Sequence, residues 1–106
     1  MKSTSRRYEV LLPLQFNDGS PVPQEWLADA AFEVALKFGA ASFETQTIKG
    51  TWINRGTTYR DDLARLVVDV ADIEENREWM RAFRDRWKAQ LKQLELWMVS
   101  YQVEVE

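Results

Sequence analysis

"SFETQTIKGTWINRGTTYRDDLARLVVDV", residues 42–70, is the stretch on which the fold turns. It is rich in Thr, Val, Ile and aromatic residues, which suit a pleated, half-buried surface better than a helix. "NRGT" at residues 54–57 interrupts it, and Gly56 there fits the positive φ of a tight hairpin turn. The stretch therefore reads as one long β-hairpin. A two-residue Arg55-Gly56 turn sets Trp52 beside Tyr59 and Ile48 beside Leu63 on one face, with Phe43, Leu66 and Val68 on the other. A three-residue Asn54-Arg55-Gly56 loop shifts the register and reassigns the partners. At the outer ends Phe43 is expected near Val67 or Val68.

Beyond the hairpin, "DIEENREWM" opens a helix, with Asp72 as the expected cap and Glu75 three residues later completing a capping box. That helix is expected to run to about Gln93, with Met80, Phe83, Trp87, Leu91 and Leu94 as its buried stripe. "LELWMVSYQVEVE" then reads as a last strand, with Trp97, Val99, Tyr101, Val103 and Val105 on one side. Before the hairpin, Leu27, Ala30, Ala31, Val34, Ala35 and Phe38 recur at helical spacing, opened by Pro23 and closed by Gly39. "YEVLLPLQF" at residues 8–16 is a strand with Val10, Leu12, Leu14 and Phe16 on one side, and Pro13 favours an edge or a bulge. "NDGSPVP" follows as a turn.

Strand, helix, strand, strand, helix, strand most simply builds an α+β ferredoxin-like βαββαβ plait: a four-stranded antiparallel sheet with two helices on one face. The 106 residues make one domain, with residues 1–6 expected as a flexible polar tail. "YEVLLPLQFNDGSPVP", "FGAASFETQTIKGTW" and "RLVVDVAD" together resemble a group of small bacterial proteins of uncharacterised function. The resemblance implies the plait and brings no catalytic motif with it.

Composition narrows function mainly by exclusion. The chain has no Cys and no His, which removes thiol nucleophiles, thiolate zinc sites and the side chain that titrates near neutral pH. The carboxylates lack the alternating spacing of a calcium loop, and no glycine pattern cradles a phosphate. No cofactor, no metal and no catalytic residue is expected. Asp61 and Asp62 look like a carboxylate pair, but neighbours on a strand point to opposite faces. A cleft using Tyr59, Arg60 or Asp62, as in isomerase- or monooxygenase-like dimeric plaits, is the small-molecule alternative and rests on fold analogy. No apolar run approaches a signal peptide or a membrane span, so a cytoplasmic protein is expected.

"NREWMRAFRDRWKAQLK", residues 76–92, mixes rings with bases and so raises nucleic-acid binding. On a helix the two sets separate: the aromatics turn inward, while Arg77, Arg81, Arg84, Lys88 and Lys92 form an adjoining flank. Residues 77–92 hold six bases against two acids, a local +4 in a chain of net −3, so the remainder carries −7. That flank could meet an acidic protein partner, although a solvated face is the ordinary fate of such a run. The first and third strands, where RNA-recognition folds place stacking rings, lack that aromatic signature. A weak RNA-binding module is therefore the last of the alternatives.

The strands carry apolar residues on both sides, yet two helices can cover only one face of a sheet. Ile48, Trp52, Tyr59, Trp97, Val99 and Tyr101 are left needing cover, and a second copy of the chain is the expected source. The expectation is a non-catalytic, self-associating interaction or regulatory protein, dimeric through its sheet face.

Overall fold

A computed structural model describes residues 4–106, the side chain of Thr45 excepted. The elements are β1 (Ser5–Pro13), α1 (Gln24–Phe38), β2 (Ser42–Asn54), β3 (Thr57–Ala71), α2 (Glu74–Gln90) and β4 (Met98–Val103). The strands form an antiparallel sheet in the order β2-β3-β1-β4. A further short antiparallel bridge, Gln15 to Pro21, closes the loop after β1.

The hairpin turn takes the two-residue form. Asn54 faces Thr57, and Arg55 and Gly56 both hold positive φ, at 51° and 81°. This mirror-image turn matches the twist of the flanking strands. Trp52 faces Tyr59 and Ile48 faces Leu63, as the two-residue register requires. Between Glu44 and Ile48 the register shifts, so that Phe43 meets Leu66 rather than Val67 or Val68. The shift spans two residues and therefore preserves which side each residue faces.

The even-numbered residues of β1 and β3 point to the helices. Val10, Leu12 and Leu66 are fully buried there against Leu27, Ala30 and Val34 of α1 and Met80, Phe83 and Trp87 of α2. Each large side chain so enclosed contributes about 1.5–3 kcal/mol through removal from water. The Trp87 indole N–H is satisfied by Glu33 at 3.2 Å, so the ring fills the core without stranding a donor.

Several local expectations change. Residue Ser5 already belongs to β1, inside the stretch expected as a tail, and Arg6 pairs with Asp72 at 2.9 Å; residues 1–3 lie outside the described set. β1 is a central strand, and Pro13 is its final residue rather than an edge or bulge position. Asp72 does not cap α2. Its carboxylate is taken by Arg6 and Gln102, and Ile73 occupies the cap position without a side-chain bond. The helix also stops at Gln90, three residues early, because Lys92 adopts a left-handed φ of 56°. Amides of Lys92 and Gln93 close the end onto Ala89 and Lys88 carbonyls, the pattern by which a left-handed residue usually terminates a helix. Leu94 consequently leaves the stripe and is exposed, while Leu96 is buried in its place.

Only residues 63–71 of β3 pair with β1, so residues 49–54 and 57–62 continue beyond the sheet as a two-stranded arm. The molecule is correspondingly elongated, 49 × 29 × 24 Å. Among the described residues no helix is long and apolar enough to cross a membrane.

Candidate functional site

The face of the sheet away from the helices divides into two halves. Around the middle of β1 it is laced by charge: Arg7 binds Asp69 at 2.7 Å, and Arg65 binds both Glu9 at 3.1 Å and Glu44 at 3.3 Å. The Tyr101 hydroxyl donates to Glu9. Arg7 holds the Asp69 carboxyl below its ordinary range, and the bond to Glu9 pushes the Tyr101 hydroxyl above its own. These partners satisfy one another across neighbouring strands, which makes this half a closed polar surface.

Toward the arm the same face turns apolar. Strand register places Leu11, Ile48, Trp52, Tyr59 and Leu63 on it, and the chain entering β4 adds Trp97 through the Leu11 amide, which donates to the Trp97 carbonyl at 3.0 Å. Val99 and Tyr101 continue this side along β4. All six expected contact residues, Ile48, Trp52, Tyr59, Trp97, Val99 and Tyr101, thus fall on one face. Trp97 is 64% exposed and Tyr101 42%, while Ile48, Trp52, Tyr59 and Val99 are half-buried.

A cavity of about 330 Å³ opens within this apolar half. Leu11, Leu63 and Gly50 form its floor, and Trp52 and Trp97 stand at its sides. Gly50 opens that floor: a Cβ there would come within 2.9 Å of the Leu63 Cδ1, so the end of the leucine side chain would have to move aside. Trp52 is fixed twice. Its ring stacks on Tyr59 with centroids 4.2 Å apart, and its indole N–H donates to Asp61 at 2.6 Å. Asp61 and Glu95 supply the ionisable groups of the wall, with Gln93 beside them.

The expected Asp61-Asp62 separation is present: Asp61 faces the cavity, whereas Asp62 binds Lys49 at 2.6 Å. Arg60 and Asp62, offered for a cleft from sequence, do not line this one, and Tyr59 reaches it only by supporting Trp52. Sequence reasoning missed Gly50 and Glu95, and it weighed Asp61 only as half of a carboxylate pair. A glycine in the interior of a strand was the available signal, because it often marks a close approach.

The basic flank of α2 is partly neutralised. Arg77 pairs with Glu74, Arg84 with Asp85, and neighbouring Arg86 with Glu33. Lys92 sits past the helix end, 6.0 Å from the Phe16 ring centre. Arg81 and Lys88 have no ion-pair partner among the described residues. No group of three potential metal ligands gathers among the described residues.

No protein-family model matches the chain, and no curated protein matches it, so nothing beyond the plait supports the resemblance to small bacterial proteins. Solved structures do share its architecture. A phage SAM lyase in complex with S-methyl-5'-thioadenosine is similar with a TM-score of 0.67 at 15% identity, covering 99% of this chain and 92% of that one. CutA1 from Oryza sativa is similar with a TM-score of 0.67 at 11% identity, covering 99% and 84%. The divalent ion tolerance protein CutA1 from Ehrlichia chaffeensis has a TM-score of 0.59 at 9% identity, covering 100% and 86%. At such identities the likeness shows the fold: two helices on an antiparallel sheet, the ferredoxin-like plait.

Proposed function

We propose that this chain is a non-catalytic plait that self-associates through the outer face of its sheet and presents a small-molecule pocket there. The observation carrying this is the apolar half of that face, where Trp97 stands 64% exposed beside a cavity walled by a second tryptophan. Full burial of a large apolar side chain is worth about 1.5–3 kcal/mol, so covering Trp97 and the open parts of its half-buried neighbours contributes a gain that works against the cost of association. The charged half of the face is already internally paired and would frame the contact without stranding charge.

The pocket reading is favoured by the shape and walls of the cavity, and by one similar structure holding a thioadenosine compound in its complex. Sedimentation at tens of micromolar tests the first part. A dimer or larger assembly is expected, and Trp97→Lys should return it to the monomer. A wild-type chain that sediments as a monomer at that concentration would remove self-association from the proposal.

A further inference from the structure

We propose that the cavity between Trp52 and Trp97 takes a small organic cation with a flat apolar body, of the kind an aromatic amine presents. The inference rests on that cavity being a ligand site. Its size, about 330 Å³, lies at the low end of small-molecule sites, and its floor of Leu11, Leu63 and bare Gly50 suits a ring rather than a branched chain. The sign of the ligand's charge comes from the wall. Asp61 and Glu95 line the cavity, and no Lys or Arg does; Arg55 lines an adjoining hollow that shares Trp52 and Glu95 with it. One Asp61 oxygen accepts the Trp52 N–H, the other has no partner among the described residues, and neither has the Glu95 carboxylate. An anion would meet two carboxylates with no base in the cavity wall itself, whereas a cation would meet both carboxylates and two indole rings, whose faces attract positive charge. Trp52 is held beforehand by Tyr59 and Asp61, so little ordering is required when the ligand arrives.

Three probes sharing one ring separate charge from shape: tryptamine, a cation; tryptophol, its neutral counterpart; and indole-3-propionate, an anion. Each is titrated into the isotopically labelled full chain while the indole N–H resonances of its five tryptophans are followed. Tryptamine should shift Trp52 and Trp97, leave Trp26, Trp79 and Trp87 unmoved, and bind about tenfold tighter than tryptophol, with indole-3-propionate weakest. Glu95→Gln, at an exposed position, should weaken tryptamine several-fold and leave tryptophol unchanged; Asp61→Asn should act in the same direction. Equal affinities for all three probes at Trp52 and Trp97 would keep the cavity as a ligand site and overturn the preference for a cation. Tryptamine affinity that survives both substitutions would overturn it as well. If no probe moves Trp52 or Trp97 at dilutions where the chain sediments as a monomer, the pocket itself falls, and the charge preference with it.

Discussion

One sheet offers two very different faces. Against the helices, Val10, Leu12, Leu66, Met80 and Phe83 have no remaining exposure, and the space is closed. On the other side, equally apolar residues stop at the solvent: Trp97 is 64% exposed although it belongs to the same sheet layer as buried neighbours. Hydrophobic patterning thus decides which residues could be buried, while the number of covering elements decides which are. The half of the outer face that carries ion pairs solves the problem with charge, and the half near the arm leaves it open.

The contrast predicts a steep gradient in mutational cost. Phe83→Ala on the closed face should cost about 3–5 kcal/mol in denaturant unfolding, since it leaves a cavity that packed neighbours cannot fill. A loss under about 1 kcal/mol would mean that the helix-side core is looser than its geometry. Trp52→Ala on the open face removes a stacked ring and a hydrogen bond to a carboxylate, and about 1–2 kcal/mol is expected. Trp97→Lys should alter folding stability by about 0.5 kcal/mol or less, measured at dilutions where only monomer is present.

The rim between the faces supplies a test by pH. Arg6 holds the Asp72 carboxyl below its ordinary range, so the folded chain binds that proton less tightly than the unfolded one. The pair therefore stabilises above the unfolded carboxylate pKa of about 3.9 and is lost as pH falls through the lower folded value. Asp72→Asn should flatten the acid-side decline of the melting temperature without removing it, because Arg7 lowers Asp69 in the same way. An unchanged decline in the variant would show that the pair makes no difference to acid stability.

How far the sequence carried depended on whether a residue's partners were near in the chain. The Arg55-Gly56 turn was legible because Gly56 and the flanking β-formers act locally, and it brought Trp52 to Tyr59 and Ile48 to Leu63. The register shift beyond Ile48 was not, since residues 45–47 are Thr, Gln and Thr and favour neither face. Asp72 had the right spacing for a cap, but a guanidinium 66 residues away claims it. Likewise the end of α2 hides in Lys92, a residue with no special liking for left-handed φ. The apolar outer face could be inferred from residues left over once the helices were placed. The cavity could not, because the segment entering β4 builds one wall and Gly50 clears its floor.

The projecting end of the β2-β3 hairpin has a consequence for how the molecule reports on itself. Its rungs are held by each other, by one stacked ring pair and by the Lys49–Asp62 and Trp52–Asp61 bonds, and the Leu14 amide ties only its base, at the Asp62 carbonyl; a two-stranded ribbon on its own is only marginally stable in water. Its amides should trade their hydrogens for deuterium through local opening, long before the sheet interior does. Any molecule that settles on the neighbouring surface would slow that exchange, so the tip serves as a built-in gauge of occupancy.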